Sequence, residues 1–416
     1  MNLLIIADDL TGANDTAVQF ANARNTATLL NLSGNLDLEE YDAVAVSSET
    51  RAVNQEEAYQ MVRTLCKKFA MDNQVRVFKK IDSSLRGHIG VEIEALLDEF
   101  DFDMALVVPA YPANGRITSG AFHLINQVPV GESDVRNDPV TPIRESHLVK
   151  LLEKQIQRKT GYLSLETISN GWQAVLDEIH RQYNNGAKVI ACDATTDDHL
   201  VTLARSLMKL RKALACGTAG LARAIAGLEG QITDGKLQLQ EQRSDDGGVL
   251  GICGSQSAAA RNQVEYARTI EGLDVIAINP TQFIHSDCLN KEVSRVTAQA
   301  DEFLKRGHNV LIYVGGCSDG ICVGNNLKTA ILAALASVTR QLISRNKVRG
   351  LVLTGGDTAM AVCRSLNVQR IAIESEVFPG IVKSRLLGGL IPEGILITKS
   401  GSFGARDIIA RLFDYV

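Results

Sequence analysis

Short runs of apolar residues alternate with amphipathic stretches along the whole chain. In the first half, five apolar runs predict β-strands, at residues 2–7, 42–47, 75–81, 104–110 and 187–194. Between two of them, residues 54–70 repeat apolar positions at steps of three and four, which predicts an amphipathic helix. Strands that are apolar throughout and alternate with helices indicate parallel sheets covered on both faces. We therefore predict an α/β fold.

This alternation is interrupted at residues 229–248, where helical periodicity is lost and Gln, Gly and charged residues accumulate. Such a composition is typical of an interdomain connection. We predict two domains, residues 1–228 and 249–416, joined by this linker. Each should contain a mainly parallel sheet flanked by helices. Because ligands of such folds bind beyond the carboxyl ends of the strands, we expect the active site in the cleft between the domains.

Length, composition and charge narrow the class of protein. A chain of 416 residues is too long for one ordinary core, which agrees with two domains. Its residues are 45% hydrophobic and 22% charged, and no apolar stretch approaches the roughly 18–20 residues that span a bilayer. The net charge of -5 argues against a nucleic-acid-binding surface. The start, MNLLIIADDL, lacks the pattern of a secretory signal, so we expect a cytoplasmic protein with neither membrane nor nucleic acid as partner.

Eight cysteines are spread along the chain without C-x-x-C spacing. We interpret most of them as small apolar residues of the interior, in a reducing compartment, rather than as disulfides or zinc ligands. The nearest approach to a pair is Cys317 and Cys322, whose spacing fits no common zinc site.

Three loops in the second half share one design: an apolar strand, a turn rich in Gly, Ser and Thr, and then a helix. They carry residues 254–257 (GSQS), 354–358 (TGGDT) and 399–404 (KSGSFG). Glycine lets a backbone approach a ligand closely, and free amides at a helix start attract phosphate oxygens. For any single loop the alternative is that Ser or Thr caps the helix. Three such loops favour an anion or nucleotide site, although the chain has no Walker A sequence and no G-x-G-x-x-G after a strand.

Two adjacent carboxylates, Asp8 and Asp9, directly follow the first apolar run. Neighbouring acids at the end of a buried strand repel each other and resist desolvation, so their position indicates a specific role. One could accept the proton of a substrate hydroxyl or bind hydroxyls, while the other orients the loop or assists a metal ion. The alternative is that one of them caps a helix starting near Asp15.

The segment FKKIDSSLRGHIG, residues 78–90, combines cations, an acid and hydroxyls at the end of a predicted strand. Because the side chains of a strand alternate between its faces, only one of Lys79 and Lys80 should face a given cleft. Arg86 could hold a carboxylate with two parallel hydrogen bonds, and Asp82 with the serine hydroxyls could bind substrate hydroxyls. The alternative is a solvated charged turn.

Two further arginines follow predicted strands in hydroxyl-rich surroundings. Arg51 closes one strand, and a Pro/Gly loop over residues 107–120 carries Arg116 and Thr118. The alternative for Arg51 is an ordinary surface arginine, and the alternative for the loop is a purely structural role. We interpret His88 as solvent-facing or hydrogen-bonded rather than catalytic.

Five segments, taken in order, carry a resemblance to a known family: IADDLTGANDTA, KKIDSSLRGHIGVE, PAYPANGRITSGAF, LTGGDTA and TKSGSFGARD. With these motifs the chain closely resembles the four-carbon acid sugar kinases over essentially its whole length. The resemblance implies an N-terminal domain that holds a four-carbon sugar acid and a C-terminal domain that binds ATP. It also implies phosphorylation of the terminal 4-hydroxyl of a compound such as D-threonate, D-erythronate or 3-oxo-tetronate.

The same resemblance implies roles for individual residues. Those implied to bind the sugar acid are Asp9, Arg51, Lys80, Ile81, Asp82, Ser83 and Ser84, to which the argument from charge adds Arg86. Those implied to bind ATP are Ser255, Gly355, Gly356, Asp357, Thr358 and Gly401. The catalytic candidates are Asp9 and Asp8. Ser84 and His88 depart from the Thr and Asn that are usual in the family, which leaves the identity of the sugar acid open.

We expect D-threonate as substrate and D-threonate 4-phosphate as product, with D-erythronate or 3-oxo-tetronate as alternatives. ATP should carry Mg2+ on its phosphates, so no dedicated protein metal site is expected. A non-catalytic sensor of a sugar acid or nucleotide is the alternative from another class. A dehydrogenase or aldolase that uses Lys80 as a Schiff base is a third hypothesis. The sequence leaves the oligomeric state open, with a homodimer as one alternative.

Overall fold

The computed structural model describes residues 1–21, 24–32, 38, 40–69, 75–138, 140–230, 247–284, 286–315 and 325–416. The chain divides into two compact units, the first made of Met1–Thr26 with Asp37–Thr233 and the second of Ala27–Leu36 with Asp234–Val416. Most of the predicted linker lies outside the described residues.

Strands and helices alternate through the first part of the chain. The strands are β1 (Leu3–Ala7), β2 (Thr26–Leu29), β3 (Ala43–Ser47), β4 (Arg76–Lys80), β5 (Met104–Val108), β6 (Arg116–Ser119), β7 (Phe122–Ile125), β8 (Val128–Pro129), β9 (Thr160–Leu163), β10 (Val189–Cys192) and β11 (Ala213–Gly217). The helices are α1 (Leu10–Ala21), α2 (Gln55–Lys68), α3 (Ile89–Glu99), α4 (Leu148–Glu153), α5 (Leu165–Ser169), α6 (Trp172–Asn184), α7 (Asp197–Leu207) and α8 (Ala219–Leu228).

The main sheet of the first unit has the order β3-β1-β4-β11-β5-β10-β9, and all of these neighbours are parallel. Every residue of β1 is buried, as expected for a strand inside a parallel sheet covered on both faces. The five strands predicted from apolar runs are confirmed as β1, β3, β4, β5 and β10. The predicted helix over residues 54–70 is confirmed as α2.

Helix α2 begins where the local sequence supplies a capping box. The Asn54 side chain accepts a hydrogen bond from Glu57 N at 2.9 Å, and the Glu57 side chain accepts one from Asn54 N at 3.4 Å. Lys67 and Lys68 lie in the last turn, where their positive charges interact favourably with the negative end of the helix dipole.

A second, antiparallel sheet of the first unit contains β6, β7 and β8. Arg116 and Thr118 therefore lie on a strand rather than in the predicted Pro/Gly loop. Gly120 and Ala121 both have a positive φ, of 59° and 64°, and reverse the chain so that Thr118 lies opposite His123. Such two-residue turns match the twist of the flanking strands, which explains the hairpin.

The second part of the chain continues the alternation. Its strands are β12 (Gly248–Cys253), β13 (Leu273–Ile278), β14 (Asn309–Val314), β15 (Val348–Thr354), β16 (Arg370–Phe378), β17 (Ile381–Leu387) and β18 (Ile395–Lys399). Its helices are α9 (Ala258–Ala267), α10 (Ser286–Lys305), α11 (Asn325–Arg345), α12 (Gly356–Ser365) and α13 (Ile408–Leu412). In the part of the chain that the structure describes, no helix is long and apolar enough to cross a membrane.

The sheet of the second unit is parallel in its larger part and antiparallel at one side. Strands β13-β14-β12-β15-β18 run parallel, followed by the antiparallel neighbours β17, β16 and β2. The predicted α/β fold with mainly parallel sheets and flanking helices is confirmed. The hairpin of β16 and β17, which turns at Pro379 and Gly380, was not predicted.

Five cysteines are buried free thiols, namely Cys66, Cys192, Cys216, Cys253 and Cys363. For these residues the prediction of interior apolar positions is confirmed. Burial raises the pKa of each of them, which keeps them as neutral thiols. Cys317 and Cys322 lie outside the described residues.

Candidate active site

Asp8 and Asp9 lie between β1 and α1, and α1 begins at Leu10 rather than near Asp15. Asp9 Oδ1 accepts a hydrogen bond from Gly12 N at 2.8 Å, so Asp9 caps the helix, the alternative that the sequence left open. The helix starts earlier than predicted because this cap and the full burial of Leu10 outweigh the weak helix propensity of the following residues. The positive end of the helix dipole also stabilises a carboxylate at this position.

Arg51, in the loop after β3, joins the two carboxylates. Its Nε and Nη2 donate to Asp8 Oδ2 and Oδ1 at 2.7 and 2.9 Å, and its Nη1 donates to Asp9 Oδ2 at 2.9 Å. Burial works against the guanidinium charge, but Asp8, Asp9 and Asp82 outweigh it and hold the pKa of Arg51 well above its ordinary value. Two adjacent acids are thus tolerated at a buried strand end because one guanidinium lies against both.

Asp82 and Arg86 form a second pair of this kind. Arg86 Nε and Nη2 donate to the two oxygens of Asp82 at 2.8 and 3.1 Å, and Arg86 Nη1 donates to Asp138 Oδ2 at 3.3 Å. Asp82 Oδ1 is also 3.7 Å from Arg51 Nη2. Burial alone would raise the pKa of Asp82, but Arg86 and Arg51 outweigh it and hold that pKa well below its usual range. The double hydrogen bond that we expected Arg86 to offer a substrate is made to Asp82 in this structure.

Lys79 and Lys80 point to opposite faces of β4, as predicted from strand geometry. Lys79 Nζ is 2.5 Å from Glu92 Oε2 on α3, whereas Lys80 Nζ is 3.6 Å from Asp15 Oδ1 on α1. Both lysines are buried. Thr50, the residue before Arg51, donates to Glu92 Oε1 at 2.9 Å. Glu92 therefore connects Lys79 to the loop that carries Arg51.

Gly12 packs closely against Asp9 and Lys80. A Cβ atom at this position would lie 2.7 Å from Asp9 Oδ1 and 3.0 Å from Lys80 Nζ. The carboxylate of Asp9 and the ammonium group of Lys80 therefore both lie beside the α-carbon of Gly12. This arrangement can hold a hydroxyl group next to a negatively charged group of a small molecule.

The remaining predicted sugar-acid residues form the turn after β4. Ile81 has a fully buried side chain, so its contribution to a site would come from its backbone. Ser84 N donates to Asp82 Oδ2 at 3.2 Å, which fixes the turn around that carboxylate. Ser83 and Ser84 are themselves buried, within the same short turn as Asp82.

His123, which sequence reasoning missed, supports this turn from β7. Its Nε2 donates to Ser83 O at 2.9 Å, and its Nδ1 accepts from Thr118 Oγ1 at 3.0 Å. Burial lowers the pKa of His123 to about 4, so the ring is neutral at physiological pH. Its sequence signal was weak, because a lone histidine in an apolar strand has no neighbouring motif. His88 forms a hydrogen bond with Val53 O at 2.6 Å, as interpreted from the sequence.

The three glycine-rich loops of the second unit come together at the ends of β12, β15 and β18. A Cβ atom added to Gly254 would lie 2.1 Å from Thr358 Oγ1, and one added to Gly401 would lie 2.0 Å from Ser255 Oγ. Ser257 Oγ donates to Gly401 O at 2.8 Å. The structure thus brings the loops of 254–257, 354–358 and 399–404 into direct contact.

The N-terminus of α12 is the open end among these loops. Gly355 precedes it with φ of 102°, a conformation that favours glycine, and no side chain caps the helix within the described residues. By contrast, Ser257 caps α9 by accepting from Ala260 N at 3.1 Å. The cap alternative is therefore correct for Ser257, while the first amides of α12 at Gly356 and beyond can receive an anion. Asp357 in this turn is exposed and pairs with Lys328 at 2.7 Å.

Gln263, which the sequence did not indicate, fixes the third loop. It lies on α9 with 1% of its surface exposed, and its Nε2 donates to Phe403 O and Gly404 O, both at 3.0 Å. A glutamine inside an amphipathic helix carries no motif that would have revealed this contact.

We expect Gly254→Ala to weaken ATP binding, because the added methyl group would collide with Thr358 and displace its loop. Overpacking of this kind costs about 1–3 kcal/mol of stability unless the loop moves, and calorimetric titration measures how far the affinity for ATP falls. Gly307→Ala is the control for a general loss of stability, since its φ of 78° strains any side chain while its Cβ would meet no atom within 4 Å. Unchanged ATP affinity in Gly254→Ala would contradict a nucleotide site at these loops.

Two family models match the two parts of the chain that carry these groups of residues. A family model described as a sugar-binding N-terminal domain matches residues 3–225, and one described as a nucleotide-binding C-terminal domain matches residues 250–409.

Characterised relatives span the whole chain. The D-erythronate kinase of Heliobacterium modesticaldum is 30% identical, covering 100% of this chain and 97% of its own. The D-threonate kinase of Salmonella typhimurium is 28% identical, covering 100% and 98%. The 3-oxo-tetronate kinase of Pseudomonas savastanoi pv. phaseolicola is 29% identical, covering 98% and 95%.

A solved structure shares the fold. A crystal structure from Salmonella typhimurium LT2 superposes with a TM-score of 0.78 at 22% identity, covering 99% of this chain and 98% of that chain. At this identity the likeness concerns the fold alone. Taken with the domain matches and the full-length relatives, the chain belongs to the four-carbon acid sugar kinase family and is a sugar-acid kinase.

Proposed function

We propose that this protein transfers the terminal phosphoryl group of ATP to the 4-hydroxyl of D-threonate, which gives D-threonate 4-phosphate and ADP. Relatives of similar identity are named for three different sugar acids, so D-erythronate and 3-oxo-tetronate are the alternatives. The choice of D-threonate rests on the motif forms KKIDSS and LTGGDTA. We further propose that the enzyme acts in the cytoplasm.

The observation that carries this proposal is the position of Asp9 Oδ1 and Lys80 Nζ side by side at Gly12, where only a glycine leaves room for both. A sugar acid has hydroxyl groups and a carboxylate within a four-carbon chain, so it needs a proton acceptor and a cation close together. Asp9 and Lys80 offer both, one on each side of Gly12. We therefore assign Asp9 as the general base and Lys80 as a partner of negative charge on the substrate.

In the proposed reaction the 4-hydroxyl loses its proton to Asp9 while its oxygen bonds to the γ-phosphorus. The bond between this phosphorus and the β,γ-bridging oxygen breaks, and ADP leaves with the electron pair. Arg51 holds both oxygens of Asp8 but only one oxygen of Asp9, so we assign the orienting role to Asp8. The other proposed sugar-acid residues are Arg51, Ile81, Asp82, Ser83, Ser84 and Arg86.

For ATP, we propose that the triphosphate binds at the joined loops of the second unit, at Ser255, Gly355, Gly356, Asp357, Thr358 and Gly401. The glycines support this, because a side chain at Gly401 would fill the space against Ser255. Phosphoryl transfer depends on placement and charge neutralisation, which backbone amides at a helix start provide. Mg2+ would arrive on the phosphates and keep several of its waters.

A mass-spectrometric screen tests the proposal. ATP and the protein are incubated separately with D-threonate, D-erythronate, their L-epimers and 3-oxo-tetronate, and the phosphorylated products are quantified at several times. The proposal expects the fastest product formation with D-threonate. A higher rate with another acid would transfer the assignment to that acid. Sugar-acid binding without product from any acid would instead favour a non-catalytic sensor.

A further inference from the structure

A lysine lies buried beneath the third glycine-rich loop. Lys399 is the last residue of β18, and none of its surface is exposed. Its Nζ donates to Ser400 O at 2.9 Å and to Phe403 O at 3.0 Å. The ammonium group is thus bound by two carbonyls of the loop that follows it directly.

The carbonyls of this loop are turned toward three side chains. Besides the two held by Lys399, Gly401 O accepts from Ser257, and Gly404 O accepts from Gln263. In a trans peptide the N–H of each residue points opposite to the preceding C=O. The N–H groups of the residues that follow these four carbonyls therefore point away from the donors.

The outward amides find no acceptor within the part of the chain that the structure describes. Among the described residues, Gly401 N, Ser402 N and Gly404 N donate to no backbone or side-chain oxygen. Polar backbone groups are normally paired with protein, water or ligand. Several amides on one side of a glycine turn form a concave site for anionic oxygens.

The charge of Lys399 also has an unusual environment. In the part of the chain that the structure describes, no carboxylate forms an ion pair with it, and the titratable group that interacts with it is Cys253. Burial raises the pKa of Cys253 to about 11, so this thiol is neutral at physiological pH. For Lys399, whose charged form is the protonated one, burial instead lowers the pKa, to about 8. A buried cation without a counter-charge is costly, and a bound anion would offset that cost.

We propose that Lys399 is a positioning residue for the nucleotide: it holds the carbonyls of Ser400 and Phe403 inward, so that the amides of the loop face the phosphates, and it supplies buried positive charge beneath them. This inference rests on the proposed function, because it requires ATP to bind at these loops. The nucleotide assigned to this loop is recognised through its phosphate chain rather than through its base.

Binding measurements with and without phosphates test this. ATP, ADP and adenosine are titrated calorimetrically into the wild type, Lys399→Met and Lys383→Met. Lys383, on the neighbouring strand β17 and partly exposed, controls for loss of a positive charge from the same sheet. We expect the dissociation constants of ATP and ADP to rise about 10- to 100-fold in Lys399→Met, as for loss of a charged hydrogen-bonding group. Adenosine binding and the Lys383→Met protein should match the wild type.

Proton uptake provides a measurement that needs no variant. The negative phosphates should raise the pKa of Lys399, so ATP binding between about pH 8 and 9 should take up protons. ATP itself is fully ionised there, since the phosphate pKa is about 6. Titrations in two buffers of different ionisation enthalpy measure the uptake, which should vanish in Lys399→Met. A purely structural lysine would not produce it.

The outcomes separate this inference from the proposed function. Equal losses of ATP and adenosine affinity, or unchanged ATP affinity with no proton uptake, would overturn the role of Lys399 even if the protein phosphorylates sugar acids. Conversely, ATP binding that depends on Lys399 without formation of any phosphorylated acid would support this inference and reject the proposed function.

Discussion

Replacing Asp9 by Asn is expected to lower kcat for phosphorylation of the sugar acid by about 100- to 10,000-fold, the range that general acid–base catalysis supplies. The amide keeps an oxygen that can cap α1 at Gly12, so the backbone of the site should persist. It cannot take the proton of the reacting hydroxyl, and it removes a negative charge from Arg51. Coupled detection of ADP at saturating ATP and sugar acid measures the loss, and calorimetry should show unchanged ATP affinity.

Asp101→Asn is the matched control for this variant. Asp101 belongs to the same unit, but its side chain is 72% exposed and pairs with Lys212 at the surface. The control should turn over at the wild-type rate. If Asp9→Asn does so as well, Asp9 is neither the base nor a substrate anchor. If it loses ATP binding together with turnover, the effect is not confined to the sugar-acid site.

Replacing Arg51 by Met should produce the largest loss of stability. The change leaves Asp8 and Asp9 adjacent and buried without their shared guanidinium, and removing one partner of a buried ion pair costs about 3–5 kcal/mol. Urea unfolding followed by circular dichroism at pH 7 measures the free energy of unfolding. The double variant with Asp8→Asn should recover part of the loss, because it removes one of the unpaired charges.

The destabilisation by Arg51→Met should also depend on pH. Arg51 helps to hold the pKa of Asp82 below its usual value, so this stabilisation is fully present above about pH 4, the ordinary Asp value. It is lost as the pH falls through the lower value of the folded state. The difference between wild type and variant should therefore be largest near neutral pH and shrink in acid.

Arg181→Met gives the comparison with an exposed ion pair. Arg181 is 63% exposed and pairs with Glu178 on the same helix, and such solvent-screened pairs contribute little to stability. A loss in Arg51→Met no larger than that in Arg181→Met would contradict the view that one guanidinium makes the adjacent acids tolerable.

The parallel strands could be predicted because fully apolar runs such as β1 alternate with amphipathic helices, as in sheets covered on both faces. The opposite orientations of Lys79 and Lys80 followed from strand geometry alone. The hairpin of β16 and β17 was missed because its residues are only alternately buried, a weaker signal than a continuous apolar run. Its signal was the Pro-Gly turn between two alternating segments, where Gly380 has φ of 74°.

Within the site, the sequence indicated which residues matter but not how they pair. Asp8, Arg51, Asp82 and Arg86 were each singled out from their local surroundings, whereas the ion pairs of Arg51 with Asp8 and Asp82 join segments far apart in sequence. Such contacts follow from the order of strands in the sheet, which local patterns do not contain. Gln263 was missed for the same reason, since the carbonyls it binds follow β18.

The segment Ala27–Leu36 groups with the second unit although the residues on either side of it group with the first. Dividing the chain at the linker would therefore not give two fragments that each contain a complete unit. The carboxyl-terminal fragment would lack β2 and present β16 as a bare sheet edge, a template for aggregation. Circular permutants or fragments used for ligand studies should include Ala27–Leu36 together with the carboxyl-terminal part of the chain.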